Sequence, residues 1–125
     1  MMKTPIEIYK SFDVVVPFHF TDSKTTKRRP AIVISAQGSF NKKSGYYVLC
    51  MITSALHNPW PLDTIIKELK STGLKKSSII RMKIFTLDQQ LTCEKIGALS
   101  IKDQKTMSKN LQSLFGEVLQ SFSGS

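Results

Sequence analysis

Three arginines stand among fifteen lysines in this chain, and two of them, Arg28 and Arg29, sit side by side where a polar loop gives way to an apolar strand in "KRRPAIVIS". An arginine carries a planar five-donor fork that grips two phosphate oxygens at once and keeps its charge when partly desolvated; lysine does neither as well. The pair suits two jobs: a surface anchor for a polyanion, or a clamp on a phosphate undergoing reaction. Thr53 and Ser54 end an apolar run beside which the strand leaving Arg29 can pair, so their hydroxyls can face the same phosphate. Cleavage of RNA by its own 2′-hydroxyl needs little more than such groups. A base takes the hydroxyl proton, a cation stabilises the pentacoordinate phosphorane, and an acid protonates the leaving 5′-oxygen. His19, between Phe18 and Phe20, reads either as an acid or base or as a packed imidazole. Trp60, between two prolines, reads either as a ring for stacking on a base or as a loop anchor.

Other chemistries find no footing. His19 and His57 fall in different loops, and Cys50 and Cys93 have no C-x-x-C partner, so neither a metal nor any other cofactor is expected. Six scattered glycines form neither a dinucleotide fingerprint nor a Walker loop, and no G-x-S-x-G occurs. Cys50 lies inside the run Tyr46 to Ile52 and reads as a buried reduced thiol. The net charge of +9 and pI near 9.7 favour a nucleic acid as partner, with some of the lysines simply on solvated faces. At 125 residues the chain is expected to be one domain over its whole length. It has no apolar run near the roughly 20 residues a bilayer demands and no secretory apolar segment, so no membrane and a cytoplasmic location are expected.

The elements that must position these residues are short. Residues 12 to 18 predict a first strand closed by Pro17, and a ten-residue basic loop over 19 to 28 follows. Strands are expected over 31 to 35 and 46 to 53, with a turn-rich stretch at 37 to 45 between them. A proline loop at 55 to 61 leads to a short strand near 63 to 66. In 77 to 85 the alternation sets Arg81 and Lys83 on one face and Ile80, Met82 and Ile84 on the other. A turn at 86 to 89 and a weaker strand at 91 to 96 complete the β part. Ser100 then reads as an N-cap with Asp103 three positions on. It opens a helix to about residue 122, whose apolar stripe runs through Met107, Leu111, Leu114, Phe115, Val118 and Phe122. That stripe should cover the barrel or a partner subunit. The fold expected is mainly β, a small antiparallel barrel with an appended helix.

Taken as a set, "FDVVVPFHFTDSKTTKRRPAIVIS" (12 to 35), "CMITS" (50 to 54), "GLKKSSIIR" (73 to 81) and "TLDQQLTCEKIGALS" (86 to 100) resemble the PemK/MazF-like toxins of type II toxin–antitoxin systems, in family order. The resemblance implies an SH3-like barrel with a C-terminal amphipathic helix, acting as a homodimer. It implies a metal-independent, cofactor-free, sequence-selective endoribonuclease that cuts single-stranded RNA to 2′,3′-cyclic phosphate and 5′-hydroxyl ends. A cognate antitoxin protein would neutralise it by blocking the RNA groove with an extended or helical segment. Carried over by motif, Arg29 is the acid and phosphorane stabiliser, Thr53 the phosphate-orienting donor, and Arg81 a further catalytic or RNA-contacting residue. Lys27, Arg28, His19, Ser54 and Lys83 are the RNA-binding set.

Three departures stand out. Phe12 occupies a position where many relatives have glycine, His19 interrupts their Pro-Phe-Pro-Phe, and Lys83 stands where some carry an acidic residue, which removes a candidate base. Two alternatives follow: a catalytically decayed barrel that still binds RNA or antitoxin, and an inhibitor of a protein target such as a topoisomerase.

Overall fold

The computed structural model describes residues 8–17, 29–56 and 58–123. Six strands form one antiparallel sheet: β1 (Asp13–Pro17), β2 (Ala31–Val33), β3 (Tyr46–Ser54), β4 (Thr64–Ile65), β5 (Ser78–Asp88) and β6 (Thr92–Ala98), in the order β4-β5-β3-β2-β1-β6. A short helix, α1 (Lys42–Ser44), precedes β3, and a long one, α2 (Ile101–Ser123), ends the chain. The curled, mainly β sheet with its C-terminal helix is the architecture expected. No helix among the described residues is long and apolar enough to cross a membrane.

Continuous runs such as Val14-Val15-Val16 and Ala31-Ile32-Val33 arise because both faces of the sheet are covered, so that neighbouring residues along a strand are alike buried. One face carries Val14, Ile32, Cys50, Ile52 and Ile80, packed with Met107 of α2. The other carries Val15, Ala31, Val33, Tyr47, Leu49 and Leu87, against which Ile8 and Tyr9 fold. Cys50 is fully buried, as expected, and burial pushes its thiol up to about 12.

Two expectations are corrected by packing. The turn placed at 86 to 89 comes later, because Leu87 is drawn into the second core opposite Tyr47, extending β5 to Asp88 before a 3₁₀ turn at Gln89–Leu91. The stretch 37 to 45, expected only as turn-rich, is helical: a π turn at Gln37–Asn41 runs into α1, and Gly45 ends it at φ 79°. Asn41 is fully buried there, held by Ser35 and by the Tyr9 carbonyl. Ile84, opposite Cys50, keeps the face of Ile80 as the alternation predicts, but β5 bulges just before it: Met51 pairs with Arg81, Met82 and Lys83 are left unpaired, and Ile84 is exposed at the edge of that core.

At the start of α2 the Ser100 hydroxyl accepts from the Asp103 amide at 3.2 Å, the predicted cap. Asp103 does not return the bond to Ser100. Its Oδ2 accepts from the amides of Lys67 and Glu68 at 3.0 and 2.9 Å, pinning the helix to the segment after β4. Only the first half of the stripe then covers the sheet. Met107 is buried and Leu111 partly so, whereas Leu114, Phe115, Val118 and Leu119 face outward. The side chain of Phe122 lies outside the described residues.

Phe12 meets the turn by adopting the left-handed backbone at φ 70°. That conformation costs a non-glycine residue about 1–2 kcal/mol. The position is nonetheless fixed on both sides, its amide donating to the Val33 carbonyl at 2.6 Å and its carbonyl accepting from Leu99 at 2.9 Å, while the ring packs on the first core.

Candidate functional site

The site begins with strand register. Ala31 lies opposite Met51, Ile32 opposite Cys50 and Val33 opposite Leu49, and the Ile52 amide donates to the Pro30 carbonyl at 3.1 Å. Continuing that antiparallel register by two residues brings Arg29 across from Thr53. On the other side of β3, Met51 pairs with Arg81 and Thr53 with Ile79. Because directly opposed residues share a face and alternate residues along a strand do too, Arg29, Thr53 and Arg81 belong to one face, the one away from α2. Arg29 is exposed and Thr53 half-buried, as a contact edge requires.

Of the remaining predicted residues, Ser54 is at the end of β3, its Oγ accepting from the Leu56 amide at 3.2 Å, which leaves its proton for another acceptor. Lys83 is exposed on the β5 bulge. His19, Lys27 and Arg28 lie outside the described residues, as does His57.

Arg81 is the least free of the three. It is 7% exposed, and a buried guanidinium must be paired and hydrogen-bonded. Its Nε donates to Asp63 Oδ1 at 3.2 Å, and its Nη2 donates to Asp63 Oδ2 at 2.9 Å and to the Asn58 carbonyl at 2.6 Å. The shared proton acceptor raises Arg81 above its ordinary value, against the opposing effect of burial. Burial in turn acts to raise the Asp63 carboxyl, but the Arg81 hydrogen bond and the Trp60 amide outweigh it and hold Asp63 below the usual carboxylate range.

That pair is built by a turn. Trp60-Pro61-Leu62-Asp63 closes with the Asp63 amide donating to the Trp60 carbonyl at 3.3 Å, and the Trp60 amide donates back to Asp63 Oδ2 at 2.8 Å. Pro61 presets the second position, and Leu62 takes the left-handed third position at φ 64°, the pattern of a type II turn. The indole comes to rest 5.0 Å from the Arg81 guanidinium carbon and 5.2 Å from the Lys83 ammonium, each over the ring. The predicted common aim of Arg81 and Lys83 is thus met at Trp60. Asp63 was not foreseen as a site residue; a proline turn ending in aspartate is the signal that marks it.

A pH dependence follows. Asp63 ionises more readily folded than unfolded, so its contribution to stability is full above the unfolded value of about 3.9 and is lost as pH falls through the lower folded value. Thermal melts of the wild type and Asp63→Asn are expected to differ most at pH 6 and to converge below about pH 4. Curves that stay parallel down to pH 3 would show that the carboxylate charge contributes nothing.

The family model described as the PemK-like, MazF-like toxin of type II toxin–antitoxin systems matches residues 12–115. Comparison with curated proteins found no match. Among solved structures, MazF from Deinococcus radiodurans is similar at 20% identity with a TM-score of 0.66, covering 88% of this chain and 98% of its own. A MazE–MazF complex from the same organism has 20% identity and a TM-score of 0.67 over 88% of this chain and 97% of the other. An endoribonuclease from a mycobacterial species has 14% identity and a TM-score of 0.67, over 89% and 94%. At these identities the likeness is one of fold.

Proposed function

We infer that this chain, which belongs to the PemK-like, MazF-like toxin family of type II toxin–antitoxin systems, is a metal-independent endoribonuclease of single-stranded RNA. The observation that carries the reading is the β2–β3 register, which, continued two residues beyond the Ala31–Met51 pair, sets an exposed Arg29 across from a half-buried Thr53. Solved relatives described as an endoribonuclease, and as an endoribonuclease with its cognate antitoxin, support it. In the reaction proposed, the 2′-oxygen forms a bond to phosphorus as its proton passes to a base, and the bond from phosphorus to the 5′-oxygen breaks. Arg29 holds the equatorial oxygens of the phosphorane and supplies the proton taken by the 5′-oxygen, while Thr53 orients the phosphate. Arg81, held by Asp63, contributes a fixed positive charge beside them. Lys27, Arg28, His19, Ser54 and Lys83 contact the RNA, whose binding should therefore weaken steeply with salt.

The enzyme is proposed to work in the cytoplasm as a homodimer, neutralised by an antitoxin protein; the outward half of the α2 stripe is apolar surface such assemblies cover. A second reading, a barrel that binds RNA without turnover, rests on Lys83. Both are tested by incubating purified protein with varied single-stranded RNAs in EDTA and mapping the ends. Fragments with 2′,3′-cyclic phosphate are expected. Salt-sensitive binding with intact RNA would select the second reading, and inhibition of a topoisomerase with neither would displace both.

A further inference from the structure

We propose that Trp60 is a stacking subsite for one unpaired nucleobase of the RNA, with Lys83 beside it on the neighbouring phosphate, so that the turn from Trp60 to Asp63 helps determine which sequence is bound. The proposal deepens the endoribonuclease reading and rests on it.

Three observations bear on it. The first is exposure: Trp60 keeps 43% of its surface open although it is the chain's one tryptophan, a residue type that normally buries most of its area. A ring serving only to anchor the loop would be covered. The second is rigidity. Pro59 and Pro61 flank the ring, Asp63 holds its amide, and Asp63 is itself held to β5 through Arg81, so the indole is presented on a braced turn rather than a loose loop. The third is charge. A π surface with an ammonium 5.2 Å from its centre offers a partner to each of two features of a nucleotide, an aromatic base and an anionic phosphate. The strand bulge that lifts Lys83 out of the β3–β5 ladder is what brings that ammonium to the ring.

An acidic peptide is the other ligand a cationic aromatic site attracts, but the fork of Arg81 is already filled by a carboxylate. A peptide side chain would have to displace Asp63, whereas a base needs only the part of the ring that Arg81 and Lys83 leave exposed. The position also suits RNA: Arg81 shares a face with Arg29 and Thr53, so a strand with its reacting phosphate at Arg29 can extend toward Trp60.

The single tryptophan makes the test direct, since its emission reports this site alone. The probe is short 2′-O-methyl RNA of mixed sequence, which lacks the nucleophile and is not cut; a terminal dye on the RNA reports binding by anisotropy independently of the indole. Binding is expected to quench Trp60 emission with the same midpoint as the anisotropy. Trp60→Ala should weaken binding about tenfold and Trp60→Phe much less, in line with the loss of one stacked base. Lys83→Ala should lower the salt dependence by about one counterion. RNA that binds with emission unchanged would overturn the stacking subsite and leave the endoribonuclease reading standing. Quenching by an acidic peptide but not by bound RNA would reassign the ring to a protein partner. No RNA binding at all would overturn both.

Discussion

Arg29→Ala is expected to lower the rate of RNA cleavage on the order of a thousandfold while leaving the fold as it is. The size follows from the kind of group removed: donors aimed at charge that develops only in the transition state contribute about 10² to 10³ in rate each. The silence of the fold follows from position. Arg29 is exposed at the foot of β2, and the ladder there is held by the Pro30 carbonyl and the Ile52 amide, which the substitution leaves in place. An exposed side chain of this sort is worth within about 0.5 kcal/mol of stability. Arg29→Lys separates charge from geometry, because an ammonium keeps the former and loses the two-pronged grip, so that variant should still lose most activity. Initial rates on a single-stranded substrate, read beside thermal melts of each variant, check both halves. Undiminished cleavage by Arg29→Ala would remove the residue from the reaction.

The second large effect is structural. Gly97→Ala should destabilise the chain by about 3 kcal/mol or leave it unfolded, since overpacking against groups that cannot yield has that cost or more. A methyl built on Gly97 would come within 2.4 Å of the Ser71 carbonyl oxygen and the Thr72 carbonyl carbon. Those atoms belong to the backbone of the 3₁₀ turn Lys70–Thr72, which crosses from β4 to lie over β6. The approach is mutual, because a methyl on Gly73 would lie 2.2 Å from the Ile96 carbonyl oxygen. Gly116→Ala is the control, for nothing lies within 4 Å of a methyl there and alanine favours the helix. Denaturant titration of the two variants is the measurement; equal midpoints would mean the turn is free to shift.

Much of this was legible in the chain, and the reasons are specific. The pairing of β2 with β3 was legible because both are apolar runs joined by a short connection, and such runs pair antiparallel. The Ser100 cap was legible because capping is a local bond over three residues. The Asp63–Arg81 pair was not, being an interaction across 18 positions that depends on where β4 folds against β5. Period alone also overstated the packing of α2. Leu114, Phe115 and Val118 continue the pattern of Met107 and Leu111, but they lie beyond Asn110, which donates to Thr64 Oγ1 at 2.7 Å, and stay exposed. Phe12 shows the converse, a residue whose type argues against the left-handed turn it occupies, kept there by bonds to Val33 and Leu99.

The strand order bears on how such a protein is made. β1 is the first of the six described strands to be synthesised, yet one of its two neighbours is β6, the last of the six. The strand that carries Arg29 out of its loop is flanked by β1 and β3, so its frame is complete only after residues 92–98 have been synthesised. The β2–β3 pair can form earlier, but the sheet around it stays unfinished until β6 has been made. Chains broken off before residue 92 thus carry Arg29 and Thr53 without the strand that completes the sheet around them.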